Sequence, residues 1–143
     1  MRAFEFSLRR ALEWRRTQLE LEQNKMRQLA GQLEEMALTA VKLDMVKARA
    51  EGAVRQAAIV DARDLWALAA YRQRMIAELQ ALAQRRAACE KELAAQRQKA
   101  LEAQRQCRLL EKLAERRHAE WRKAADREVE NLAAESFLAR WKR

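Results

Sequence analysis

The chain has 143 residues with no proline and two glycines, Gly31 and Gly52, where average usage gives roughly seven and ten. Half of its residues count as hydrophobic, much of that alanine, 36% are charged and 6% are aromatic, which leaves too little bulk for a thick multilayer core and suits a long seam between helices. Thirty Lys and Arg against 21 Asp and Glu give a formal charge of +9, a balance that favours acidic partners without naming one.

Taken from the start, Phe4 and Phe6 stand among Glu5, Arg9 and Arg10, without the apolar core of a signal peptide, and no later run reaches the apolar length of a bilayer span. The expectation is a cytoplasmic protein. Alanine, leucine, glutamate, glutamine, lysine and arginine dominate, the residues that lose least side-chain freedom in a helix, so the first helix is expected over about 3–58. Met26, Leu29, Leu33, Met36, Ala40, Leu43, Ala50, Val54 and Ala57 recur at spacings of three and four, a heptad seam that only Lys47 interrupts. Carried backward, one strip continues through Leu19 and Leu12. The other meets Glu22 and Arg15 before recovering at Leu8, with Trp14 and Leu21 flanking the seam.

A reversal is placed within 52–64, where Gly52 relaxes the backbone and Asp61 and Asp64 are suitable N-caps for a helix beginning at Leu65 and Trp66. The second helix, about 64–140, repeats the pattern less cleanly. Leu68, Met75, Leu82 and Cys89 form one strip, and Leu79, Leu93, Ala100, Cys107, Ala114 and Trp121 the other, with Arg86 and Gln96 as polar interruptions. The fold class read from this pattern is all-α: two long helices forming an antiparallel coiled-coil hairpin, the second longer, as a single coiled-coil domain over 1–143. A continuous helix in a parallel dimer is the competing architecture. A spectrin-like bundle needs three helices with clear loops, and at most one reversal is legible.

With the reversal near residue 60, residue i faces about residue 121 minus i across the seam. The first helix then runs out of partner near residue 118, and 119–143 become an overhang of about 37 Å. That overhang carries Trp121, Val129, Leu132, Phe137, Leu138 and Trp141. Apolar groups on an unpaired helix are a docking surface or a disordered end.

Motifs for chemistry are sparse. Cys89 and Cys107 on one straight helix have Cα atoms about 27 Å apart, too far for a disulfide. They belong to no CxxC pair and read as small seam residues. Glu115 and His118 have the i, i+3 spacing of a carboxylate-bridged metal bundle, but that chemistry needs two such pairs, so His118 reads as a solvated helix residue. No Gly-rich phosphate loop, GxSxG or HExxH occurs, so the chain reads as non-enzymatic, with no cofactor and no metal. Arginine pairs such as Arg85 and Arg86 or Arg116 and Arg117 invite a nucleic-acid reading. Interleaved glutamates such as Glu13, Glu20, Glu111 and Glu120 argue instead for the solvated face of a coiled coil. The same interleaving weakens a membrane-surface reading of Trp14, Trp121 and Trp141.

Two stretches carry a resemblance. Phe4-Glu5-Phe6-Ser7-Leu8-Arg9-Arg10-Ala11-Leu12-Glu13-Trp14-Arg15 resembles the opening of the flagellar export protein FliJ family, in which an early Phe, a Leu pair and a charged helix begin the chain. Leu109-Leu110-Glu111-Lys112-Leu113-Ala114-Glu115-Arg116-Arg117, followed by Glu120, Asp126, Glu128 and Leu132-Ala133-Ala134-Glu135, resembles the family's Leu-Glu-Lys-Leu block and its acidic, alanine-rich end. Size, basic charge and hairpin organisation agree, so the resemblance covers nearly the whole chain. Two departures, a thin glutamine- or lysine-rich stretch before the final acids and a short turn region, leave a flagellar protein and a similar injectisome stalk of the YscO type both open.

The resemblance implies a non-enzymatic central stalk of the type III export apparatus, cytoplasmic and peripheral at the inner face of the cell membrane. The family's partners are the hexameric export ATPase, whose opening receives the end bearing both termini, and the export-gate membrane protein; members are also implicated in handling export chaperones. Carried onto this chain, the candidate ring contacts are Phe4, Phe6, Arg9, Arg10, Trp14, Trp121, Arg122, Phe137 and Trp141, and the candidate gate contacts are Tyr71, Met75, Leu79 and Leu82. The readings from other classes are a basic nucleic-acid-binding coil and a generic coiled-coil scaffold.

Overall fold

The computed structural model describes residues 3–141. They form two helices, α1 over Arg9–Gln56 and α2 over Ala62–Trp141, 48 and 80 residues long, with no strand among the described residues. The two pack side by side as an all-α antiparallel hairpin whose second helix is the longer.

By their contacts the residues divide into two compact units. In the unit Gln23–Lys99, Met26, Leu29, Leu33, Met36, Ala40, Leu43, Ala50 and Val54 of α1 are all half-buried, so the heptad spacing does form the covered face. Across from them on α2, Met75, Cys89 and Leu93 are buried. The Cys89 thiol is directed at the Leu29 carbonyl, 3.7 Å away, and at Gln32 Oε1, 4.0 Å away. Gln32 is the position that the register assigns to residue 89. Of the two polar interruptions on α2, Gln96 stays in the seam at 8% exposure, whereas Arg86 turns outward to Glu90 at 3.1 Å. No buried side-chain nitrogen or oxygen among the described residues lacks a hydrogen-bond partner. Nor is any side chain fully enclosed, because a two-helix seam covers each apolar group from one side only.

The other unit takes the residues up to Glu22 together with those from Ala100 onward. Leu12, Ala100 and Cys107 are buried there. Arg15 donates to Gln106 Oε1, again the partner the register assigns. Arg16 places Nε and Nη2 at 3.2 and 3.1 Å from Glu111 Oε1. Burial pushes the Cys107 thiol above its ordinary range and the neighbouring Glu111 charge adds to this, while Arg16 pulls the other way.

The reversal differs from expectation in detail. It occupies 57–61, and Gly52 lies inside α1 with no positive φ, so it takes no part in the turn. An added Cβ at Gly31 or Gly52 meets nothing within 4 Å, so neither glycine serves a close approach. Only Asp61 is the N-cap. Its Oδ1 accepts from the Ala62 amide at 2.7 Å and its carbonyl accepts from Asp64 and Leu65, so α2 starts at Ala62 rather than near 65. Asp64, three residues on, reaches back with Oδ2 to the Asp61 amide at 3.1 Å, the reciprocal half of a capping box. At the other end of α1 the helix begins at Arg9, not near residue 3. Phe4 and Phe6 lie in a non-helical lead that turns through Ser7 and Leu8, with the Arg9 amide donating to the Phe6 carbonyl at 3.0 Å.

Candidate functional site

The lead before α1 bends because Phe4 has somewhere to go. Its ring meets His118 edge-on at 5.0 Å and Trp121 at 5.9 Å, and the last two stack at 5.8 Å, 29° apart. His118 and Trp121, three residues apart, share one face of α2, which is what allows a single ring to touch both. All three are half-buried. Two sequence expectations are thereby corrected: His118 is a packed member of an aromatic cluster rather than a solvated residue, and Trp121 is covered rather than overhanging. Such ring pairs contribute about 0.5–1.5 kcal/mol each beyond the area they bury, enough to compete with continuing a helix through Phe, Phe and Ser. A shallow cleft beside the cluster is lined by Phe4, Phe6, Arg117, Glu120, Trp121 and Ala124.

Beyond the cluster, Ala125 is the last half-buried residue, and every residue from 126 to 141 is exposed while α2 continues to Trp141. The uncovered stretch therefore begins at 126 rather than 119. Phe137 at 63% and Trp141 at 83% exposure stand on it with Val129, Leu132 and Leu138. Of the remaining ring candidates, Arg9 is exposed and pairs with Glu13 at 3.0 Å, while Arg10 and Arg122 point to solvent. Trp14 is exposed too, with the Arg15 guanidinium 4.8 Å from its ring centroid, a cation–π contact.

The second candidate set is less uniform. Met75 is buried at 6% exposure, and Leu79 and Leu82 are half-buried on the same seam, so these three face α1. Tyr71 alone sits at an opening, an apolar cleft by the turn lined by Ala50, Ala53, Val54, Ala57 and Leu68. The small alanines leave the seam underfilled there. Two residues that sequence reasoning passed over as contacts are exposed near the turn, Ile59 at 87% and Trp66 at 81%, and Trp66 lines a separate shallow cleft with Leu65, Ala69, Ala70 and Gln73. Ile59 belongs to the turn itself and Trp66 to the second turn of α2, and neither falls on the three-and-four spacing of the seam. Next to Tyr71 and Ala50, Arg72 pairs with Glu51 at 2.9 Å.

Among the described residues no group of three or more His, Cys, Asp or Glu is placed to hold a metal ion, and no helix is long and apolar enough to cross a membrane. No protein-family model matches the chain. No curated protein and no solved structure matches it either.

Proposed function

We propose that this protein is a non-enzymatic coupling stalk of a type III export apparatus, cytoplasmic and peripheral at the inner membrane face, whose uncovered α2 stretch and adjoining aromatic cluster dock into the ring of the export ATPase. One observation carries the reading: α2 runs on as a helix for sixteen residues after its last half-buried position, and it presents Phe137 and Trp141 there. A helix that keeps exposed aromatic groups beyond its own partner offers the large rigid anchors that interfaces use. Phe4 and Trp121 support the base of that helix, with Trp14, Arg9, Arg10 and Arg122 exposed nearby in sequence. The resemblance to the flagellar export family gives the reading its partners. At the turn, Tyr71 and its apolar cleft are the candidate left for the export gate, since Met75, Leu79 and Leu82 are occupied by the seam. Export chaperones stay among the family's partners with no surface assigned to them.

The test is stimulation of the hexameric export ATPase by the full chain and by a chain ending at residue 125. The truncation spares every covered residue, and stimulation should fall to the basal rate. Undiminished stimulation rejects the assignment. Tyr71→Ala, at the other cleft, should weaken pull-down of the gate protein and leave ATPase stimulation intact.

A further inference from the structure

We propose that α2 beyond Ala125 pairs with the same stretch of a second copy of this chain, as an antiparallel two-fold helix pair. The inference goes beyond the stalk reading and needs no ATPase.

Geometry supplies the first reason. Val129, Ala133, Phe137 and Trp141 fall at i, i+4, i+8 and i+12 along an exposed helix, so they form one ridge. Val129 lies one turn past the half-buried Ala125, which makes the ridge a continuation of the face that is covered earlier in α2. Charge supplies the second. Asp126, Glu128, Glu130 and Glu135 outweigh Arg127 by three negative charges, whereas Arg140, Lys142 and Arg143 bring three positive ones. None of the charged side chains from 126 to 140 forms an ion pair among the described residues. By sequence the stretch is thus acidic in its first part and basic in its last, and its charges from 126 to 140 are uncompensated among the described residues.

A parallel partner of the same sequence would set like charge against like. An antiparallel one sets the acidic part of each copy against the basic part of the other, twice over, which is the self-complementarity that a two-fold interface requires. Centring the pair on Glu135 places Val129 against the second copy's Trp141, Ala133 against Phe137 and Glu130 against Arg140. The small side chain then faces the large one, as interdigitation across a helix pair demands. Only a second copy satisfies both charged parts with a single sequence. Sixteen residues of helix per copy make a short seam, so the association is weak and depends on concentration. Pairing would hold the surface that the ring needs, so paired chains would be a reserve form that separates on docking.

The experiment is sedimentation velocity of the full chain alone, at low salt and over roughly micromolar to near-millimolar protein. A monomer–dimer equilibrium is expected. Glu130→Arg or Arg140→Glu alone should weaken it by about tenfold. The double variant E130R/R140E should return it to near the starting affinity, since the pair is restored with its signs exchanged. Both positions are exposed, and circular dichroism checks that helix content is kept. A chain that stays monomeric over the whole range, a dimer insensitive to the single changes, or a double variant no better than the singles overturns the proposal. None of these results touches the stalk reading, which is tested separately, with the ATPase present.

Discussion

Residues 89–107 and 126–141 belong to the same helix and have similar apolar spacing, yet Cys89, Leu93, Ala100 and Cys107 are buried while Val129, Phe137 and Trp141 are not. The difference is the presence of α1 across one stretch and not the other. Helical propensity alone carries the second stretch, and helical propensity together with a covered seam carries the first. Position along α2, more than residue type, therefore decides whether an apolar side chain supports the fold or remains free to meet a partner.

That contrast is open to direct attack. Leu93→Ala removes a buried seam side chain and should cost about 2–3 kcal/mol in urea unfolding, whereas Phe137→Ala, the larger deletion by volume, should change stability by less than about 0.5 kcal/mol. Equal losses at the two sites would erase the distinction between covered and uncovered helix. Next in size, Asp61→Ala removes the α2 cap and should cost about 1 kcal/mol. Gly52→Ala should act in the opposite direction, stabilising by roughly 0.5–1 kcal/mol, because the glycine sits in ordinary helical backbone with open space where the methyl group goes. A destabilised Gly52→Ala protein would reinstate this residue as part of the turn.

The smallest effect concerns the thiol in the covered stretch. Cys107 is held neutral by burial and by Glu111, so less thiolate is present at any given pH than for a free cysteine. Alkylation of the folded chain at pH 8 should be slow at Cys107, with its rate profile displaced to higher pH, and denaturant should abolish the difference. Replacing Arg16 with Gln should slow the reaction further, since the guanidinium is what lowers the thiol's affinity for its proton.

How much of this was legible in the residues follows from which interactions are periodic. The seam of α1 is legible because its apolar positions from Met26 to Val54 keep the three-and-four spacing except at Lys47, and the register drawn from it matches Arg15 with Gln106 and Gln32 with Cys89. The turn could be read only coarsely. Gly52 attracted the reversal through its conformational freedom, but a helix rich in alanine tolerates one glycine, and the Asp61 cap with the backward reach of Asp64 decides the start of α2 instead. His118 reads as solvated from the sequence because a lone histidine on a charged helix is usually so. Its ring is recruited by Phe4 from outside α1, although the register already set Phe4 across from residue 117. The stripe Tyr71, Met75, Leu79 and Leu82 could not be divided from spacing alone, since a seam and a docking face share the same period. Only burial separates Met75 from Tyr71.

Whether the uncovered end of α2 docks on the ring is read by hydrogen exchange on the full chain, free and with the hexameric export ATPase. In the free chain at low concentration, amides from 126 to 141 should exchange faster than those from 89 to 107, because no partner helix raises their opening energy. With the ATPase present, new protection is expected over 126–141 and around Phe4 and Trp121. Exchange over 126–141 that is the same with and without the ATPase would contradict it.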